Sequence, residues 1–326
     1  MRTRYTHRAN PQDGIARCET DPERTIDRVR DCLQCAGGTK YSAMETILRN
    51  RDLVSRDDAS ADLEDRGYQF GDGIYEVIRV YDGEPFLLDE HMDRFERSAR
   101  EISLKMPCER AELLGRMRGL IAANEIATGT IYVQMTRGVH PRSQMFPPDS
   151  VPAEVTAFAR PLDRPGAEQR NGVSAILTAD MRWLRCDIKS LNLLPNVLAR
   201  QTARKAGCYE AIQHRGEAVT EGAFSNVFIV AEGVVLTTPA SNLILSGITR
   251  AKLLELCEAC GWPVVERTVA CQELLGAEEV FITSTVNEVM PVVRVNDQTI
   301  GNGEPGPVTR NLQKAFDRAI DGAADV

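Results

Sequence analysis

Two residues could do covalent chemistry together. Lys189 lies in the run Trp183-Leu184-Arg185-Cys186-Asp187-Ile188-Lys189-Ser190-Leu191-Asn192, and Glu221 in Val219-Thr220-Glu221-Gly222-Ala223-Phe224-Ser225-Asn226. A lysine amine condenses with a carbonyl to a Schiff base, and a carboxylate beside a ring nitrogen keeps that nitrogen protonated. Taken alone, Lys189 reads as a solvated surface charge and Glu221 as a turn carboxylate or helix cap. The apolar neighbours Ile188, Leu191 and Leu193 instead predict partial burial of the lysine, and desolvation frees an amine as a nucleophile and proton shuttle. Glu221, with Ser225 after it, opens onto an apolar strand, where a ligand can sit at the edge.

Three further groups of residues suit such a site. Ser246-Gly247-Ile248-Thr249-Arg250 stands at the start of an expected helix, where free backbone N–H groups and the helix dipole favour an anion. Ser284 and Thr285 follow a strand and add hydroxyls, and Arg94 adds a charge-assisted contact. The loop Thr136-Arg137-Gly138-Val139-His140-Pro141-Arg142-Ser143-Gln144 offers an arginine that clamps a carboxylate or stays a solvated cation. An amine, a partner for a ring nitrogen, a phosphate cradle and a carboxylate grip together are what a pyridoxal phosphate transaminase needs.

These groups need a scaffold, and the periodicity supplies one. Alternation predicts a strand over 75–81, an Asp82-Gly83 turn and a resumed strand over 85–88. Asp89 then caps a helix through His91, Arg94 and Ser98. A helix over 110–125 and strands over 130–135 and 155–159 complete a small α+β domain at 44–160. Residues 161–172, rich in Pro and Gly, read as an interdomain linker. A larger α/β domain over 173–326 is expected to hold strands at 173–177, 210–214, 226–230, 234–237, 280–283 and 290–295. Its helices are expected over 195–205, 249–260 and 307–320. Residues 1–43 are polar and read as a flexible extension with a hint of helix at 25–32, and Met44 is a candidate alternative start.

Composition narrows the class. The chain has 326 residues, 43% of them hydrophobic, and a net charge of −8, which argues against nucleic acid as the main partner. No apolar run reaches the length of a membrane span, so a cytoplasmic protein is expected. Nine cysteines, an odd number, read as reduced thiols. The Cys257/Cys260 pair reads as packing on an amphipathic helix. With Cys32 and Cys35 it would make a zinc site only if the pairs met in space, and no metal is expected. A zinc-dependent interaction protein with residues 1–43 as a docking arm is the alternative from another class.

Taken together, Asp65-Arg66-Gly67-Tyr68-Gln69-Phe70-Gly71-Asp72-Gly73-Ile74-Tyr75-Glu76-Val77, the 182–194 run, Cys208-Tyr209-Glu210-Ala211-Ile212, the 219–228 run and Gly247-Ile248-Thr249-Arg250 resemble the fold-type IV pyridoxal phosphate aminotransferases, most closely their D-amino-acid branch. The resemblance runs from about residue 44 to 320. It implies a two-domain α/β and α+β fold, a homodimer, and ping-pong transfer between D-alanine-type donors and 2-oxoglutarate-type acceptors. By position it implies that Lys189 is the Schiff-base lysine and Glu221 the pyridine-nitrogen partner. Arg94, Ile248, Thr249 and Thr285, with Ser284 beside them, would form the phosphate cup, and Leu245 would support the ring. Tyr75 and Arg142 would grip the α-carboxylate. Two departures stand out. Gln144 occupies a position where the D-amino-acid enzymes carry His, which weakens carboxylate binding, and Phe224 replaces a small hydroxyl residue. The same fold also serves (R)-amine transaminases, branched-chain L-amino-acid aminotransferases and aminodeoxychorismate lyases.

Overall fold

The computed structural model describes residues 45–324. Expectations placed on residues 1–44, including the helix at 25–32, Met44 and the Cys32/Cys35 pair, lie outside the described residues.

The first lobe is a sheet in the order β2-β1-β6-β5-β3-β4, built from β1 (Thr46–Arg49), β2 (Asp52–Ser55), β3 (Gly73–Tyr81), β4 (Glu84–Pro85), β5 (Gly129–Thr136) and β6 (Glu154–Pro161). Between β2 and β3 comes the short helix α1 (Arg66–Phe70). Asp65 caps it by accepting from Gly67 N at 2.7 Å, and Gly71, at φ 66°, ends it in the left-handed region. Helices α2 (Leu88–Glu101) and α3 (Arg110–Ala123) cover one face of the sheet. In α2 the buried apolar residues Leu88, Met92 and Phe95 recur at helical spacing and meet Ile74, Ile78 and Val80 of β3. Each such side chain taken from water contributes about 1.5–3 kcal/mol.

The expected strand over 85–88 is not formed. β4 stops at Pro85, and Leu87 adopts φ 53° as the N-cap of α2, placing Asp89 inside the first turn rather than at the cap. The side chains explain this. Phe86 and Leu88 are buried in different clusters, and a left-handed residue between them turns each toward its own core.

The segment 161–172 carries a short helix, α4 (Gly166–Asn171). The second lobe is a sheet in the order β12-β11-β10-β13-β14-β7-β8-β9, with β15 pairing β14. Its strands are β7 (Val173–Ala179), β8 (Glu210–Arg215), β9 (Ala218–Gly222), β10 (Asn226–Ala231), β11 (Val234–Thr237), β12 (Val264–Glu266), β13 (Glu279–Ser284), β14 (Glu288–Val295) and β15 (Gln298–Thr299). The helices are α5 (Leu194–Lys205), α6 (Ile248–Ala259), α7 (Cys271–Leu275) and α8 (Pro307–Ala324). Three clusters fill this lobe, and one of them takes in Tyr81 and Phe86 of the first lobe beside Phe228, Phe281 and Phe316. Cys257 is fully buried in that cluster, as helix packing predicts. Among the described residues no helix is long and apolar enough to cross a membrane.

The two lobes meet at the segment that carries Lys189. Tyr75 N donates to Lys189 O, and Leu191 N donates to Gly73 O, both at 3.0 Å. The lysine segment is thereby stitched to the start of β3.

Candidate active site

Lys189 sits on irregular backbone between β7 and α5, so its place depends on what holds that backbone. Besides the two bonds to β3, Lys189 N donates to Ser98 Oγ of α2 at 3.3 Å. Arg97 binds Asp187 through both its side chain, at 2.7 Å, and its carbonyl, at 2.9 Å. Cys186 N donates to Asn242 O in the second lobe at 2.9 Å. Lys189 is half-buried, as its apolar neighbours predict, and its Nζ stands 4.4 Å from the ring centroid of the buried Tyr75.

Glu221 is not on a turn. It lies within β9 and is 5% exposed. Its Oε2 accepts from Asn226 Nδ2 and from Leu245 N, both at 3.0 Å, and its Oε1 accepts from Arg182 Nη1. Burial pushes this carboxyl up to about 7, against the pull of Arg182. Arg182 is also tied to Asp180, by Nε at 2.9 Å and Nη2 at 2.8 Å. Burial would raise the Asp180 carboxyl, but hydrogen bonds from Arg182 and Arg215 hold it down at about 2. Asp180 thus stays ionised and fixes the guanidinium that steadies Glu221.

The third part is the start of α6. Gly247 caps it with no side-chain hydrogen bond, so the first-turn N–H groups of Ile248 and Thr249 are left open to an anion. Arg94 reaches the same place and donates to Ser246 O at 2.9 Å. Its other nitrogens bind Glu76, Nε at 2.7 Å and Nη2 at 2.8 Å, and His91 Nδ1 lies 2.8 Å from the same carboxylate. Burial would raise the Glu76 carboxyl, but Arg94 and His91 bring it well below the usual range.

One cavity of about 790 Å³, open mouth included, joins these parts. Its wall includes Tyr75, Arg94, Lys189, Glu221, Ser225, Leu245, Ile248, Thr249, Ser284 and Thr285, so ten of the residues singled out from sequence converge. Arg142 and Gln144 do not join them. Both are exposed on their loop, and the Arg142 guanidinium stacks 4.5 Å from the Phe70 ring. The Ser225 hydroxyl is turned away to donate to the buried Glu210 at 2.9 Å. Phe224 lines the cavity and is 43% exposed.

The residues present fit pyridoxal phosphate. In the cavity wall the buried Thr283 Oγ1 has no hydrogen-bond partner, beside the Ser284 and Thr285 hydroxyls. Together with the α6 N-terminus and Arg94, it offers donors for a phosphate. The amine of Lys189 and the carboxyl of Glu221 are left for an aldehyde and a ring nitrogen.

Sequence reasoning missed Asp180, Arg182 and Asn226. Arg182 lay inside the recognised run, and the Asp-x-Arg spacing was the available signal. The need for glycine at 247 was also unread. A Cβ there would stand 2.1 Å from Asn226 Oδ1. Asn226 also donates to Leu245 O, at 2.9 Å. Gly247→Ala should therefore displace the side chain that binds Glu221 and weaken cofactor binding about tenfold or more. Titration of the cofactor-stripped variant with pyridoxal phosphate measures this, and wild-type affinity would show that Asn226 is free to move.

Comparison with known proteins gives the family. The amino-transferase class IV family model matches residues 73–295. The D-alanine aminotransferase of Bacillus licheniformis is 50% identical over 274 residues, covering 84% of this chain and 96% of the relative. That of Staphylococcus haemolyticus is 47% identical, covering 85% and 99%. Among solved structures, a branched-chain amino acid aminotransferase of Escherichia coli superposes with a TM-score of 0.78 at 29% identity, covering 84% of this chain and 94% of that one.

Proposed function

The chain belongs to the class IV aminotransferases, fold-type IV enzymes that use pyridoxal 5′-phosphate, and on that premise we propose that it moves the amino group of D-alanine-type donors to 2-oxoglutarate-type acceptors. The observation that carries this reading is the meeting in one cavity of Lys189 and the buried Glu221 with the uncapped start of α6. Identity near 50% to D-alanine aminotransferases supports the D series over the branched-chain L series, of which the Escherichia coli structure shares the fold at 29%.

When bound, pyridoxal phosphate supplies an aldehyde for the substrate amine and a ring that takes up electrons from Cα. The chain supplies the rest. Lys189 Nζ would hold the cofactor between turnovers, take the donor's Cα proton and pass it to the cofactor, and in the second half-reaction deliver a proton to Cα of the new amino acid on the same face, which sets the D configuration. Glu221 keeps a proton on the ring nitrogen, and Arg182, itself held by Asp180, keeps that carboxylate in place. Arg94, the Ile248 and Thr249 N–H groups, Ser284 and Thr285 bind the phosphate, and Leu245 supports the ring. Ser225 lines the wall near Glu221. Tyr75, beside Lys189, grips the substrate α-carboxylate. The 2-oxo product leaves before the acceptor enters, so the kinetics are ping-pong.

A homodimer completes this reading. Arg142 and Gln144 stand outside their own cavity, on a loop that also exposes Met145 (77%) and Phe146 (61%), while α5 exposes Leu194 and Leu198. A second copy covering these apolar residues would receive the loop, and we assign its Arg142 and Gln144 to carboxylate binding there. A cytoplasmic setting suits the unpaired thiols among the described residues. Phe224 at the mouth and the neutral Gln144 favour an (R)-amine transaminase as the second reading.

A half-reaction panel separates the readings. The cofactor spectrum of the loaded protein should change with D-alanine at least about a hundredfold faster than with L-leucine or (R)-1-phenylethylamine, a margin of about 2.7 kcal/mol in the transition state. Faster reaction with either of the other two would replace the D-amino-acid assignment.

A further inference from the structure

Glu288 is 2% exposed and adopts φ 55°, a left-handed conformation that costs a residue with a side chain about 1–3 kcal/mol. It follows the hairpin loop 285–287 and pairs with Ser284 across the start of β14, a place that favours glycine or asparagine. Its carboxylate takes four hydrogen bonds. Oε1 accepts from Arg164 Nε at 2.8 Å and from the Tyr81 hydroxyl at 3.0 Å. Oε2 accepts from Arg164 Nη2 at 2.6 Å and from Gln169 Nε2 at 2.9 Å. Burial would raise this carboxyl, but hydrogen bonds from Arg164 and Gln169 hold it below its ordinary value, so the group is an anion. A buried ion pair is no more stabilising than apolar residues of the same size. Stability alone therefore does not account for a glutamate in this conformation.

What the carboxylate fastens is the turn that presents Ser284 and Thr285 to the cavity. Its neighbour Asn287 is also buried and fastened. Asn287 Oδ1 accepts from the Tyr209 hydroxyl at 2.9 Å, and its carbonyl accepts from Gln169 Nε2 at 3.3 Å. Asn287 N donates to Ser284 Oγ at 3.1 Å, which leaves the Ser284 proton free to donate to an anion. The donors gathered for a phosphate come from both lobes. Arg94 belongs to α2 of the first lobe, and Ser284, Thr285 and the start of α6 belong to the second. Glu288 is bound to both sides of this division. Tyr81 ends β3 of the first lobe, and Arg164 and Gln169 belong to the segment that joins the lobes. One carboxylate thus fixes the hydroxyl-bearing turn relative to the lobe that carries Arg94.

We propose that Glu288 is a positioning residue for the cofactor's phosphate: tied to Arg164 and Tyr81, it sets the turn of Ser284 and Thr285 against Arg94. The inference rests on the transaminase reading. Glu288 does not line the cavity that holds Lys189, so it acts through the turn and touches neither cofactor nor substrate. The fork of Arg164 takes the carboxylate in two hydrogen bonds, which fixes direction as well as distance.

Pyridoxal, which lacks the phosphate, tests this without turnover. The cofactor-stripped protein is titrated with pyridoxal phosphate and with pyridoxal, and the absorbance of the bound aldehyde gives both affinities. Glu288→Gln should weaken pyridoxal phosphate about tenfold and pyridoxal less than about twofold. Arg164 keeps Asp317 in this variant, so no cation is left unpaired. A general loosening of the fold would weaken both aldehydes alike. Equal losses, or unchanged affinity for pyridoxal phosphate, would overturn the assignment. Glu288→Gly separates the carboxylate from the backbone, because glycine adopts φ 55° freely. The same selective loss is expected, and wild-type selectivity would show that the turn needs no carboxylate and would overturn the proposal. Arg164→Met covers the case in which neither variant is recovered folded. Arg164 is exposed, and Tyr81 and Gln169 stay on the carboxylate. A selective loss of about threefold or more is expected, and no selective loss overturns the proposal. A wild type that binds the two aldehydes equally would instead remove the phosphate cup, and with it both the transaminase reading and this inference.

Discussion

Replacing Lys189 with alanine lowers the rate of the half-reaction with D-alanine by at least about 10³-fold. The size follows from losing both the nucleophile that holds the cofactor and the base that moves the Cα proton, the latter alone giving about 10²–10⁴-fold. The variant should fold, because the contacts that place this segment come from its backbone, through Tyr75 N to Lys189 O, Leu191 N to Gly73 O and Lys189 N to Ser98 Oγ. Truncation removes only a half-buried side chain over the Tyr75 ring. Rapid mixing with D-alanine measures the rate, and a folded variant within tenfold of wild type would remove Lys189 from the chemistry.

Glu221→Gln should lower the same rate about 10²–10³-fold while leaving the fold intact. The amide keeps the shape of the side chain but not the charge that retains a proton on the ring nitrogen. Losing one fixed electrostatic partner at a reacting centre costs about 2.7–4 kcal/mol. Arg182 remains satisfied by Asp180, so the substitution does not strand a buried cation. The cofactor-stripped protein offers a second readout. The folded-state pKa of Glu221 is raised from 4.5 to about 7, chiefly by burial. The folded state therefore holds the proton more tightly than the unfolded one. The stabilisation is present in full below about pH 4.5 and is lost as pH rises to about 7. At 1.36 kcal/mol per pKa unit the loss is up to about 3 kcal/mol. Urea unfolding of the stripped wild type, referred to stripped Glu221→Gln, should show this decline across that window. A pH-independent difference would mean that Arg182 keeps Glu221 ionised throughout.

Much of the site was legible because its residues carry chemistry in short, specific runs. Lys189, Glu221 and the Gly247-Ile248-Thr249 helix start could each be named from neighbours within a few positions, and the cavity brings them together. Elements were legible where one period dominates, as in α2 and in α8. What was hidden depends on contacts distant in sequence. Glu221 looked like a turn residue because Gly222 follows it, yet pairing with β8 draws both into β9. Arg182 and Asn226 acquire their roles only when β9 and the Leu245 backbone come beside them. The apolar run at 85–88 read as strand, but two separate cores compete for Phe86 and Leu88, and the backbone yields at Leu87. Arg142 and Gln144 stood out in sequence, but they do not line the cavity of their own chain.

The covalent role of position 189 can be read directly. The protein is loaded with pyridoxal phosphate, reduced with borohydride, digested and examined by mass spectrometry. The phosphopyridoxyl mass is expected on the peptide containing Lys189 and lost in Lys189→Ala. An unmodified Lys189 peptide, with the label on another lysine or the cofactor recovered wholly free, would contradict it.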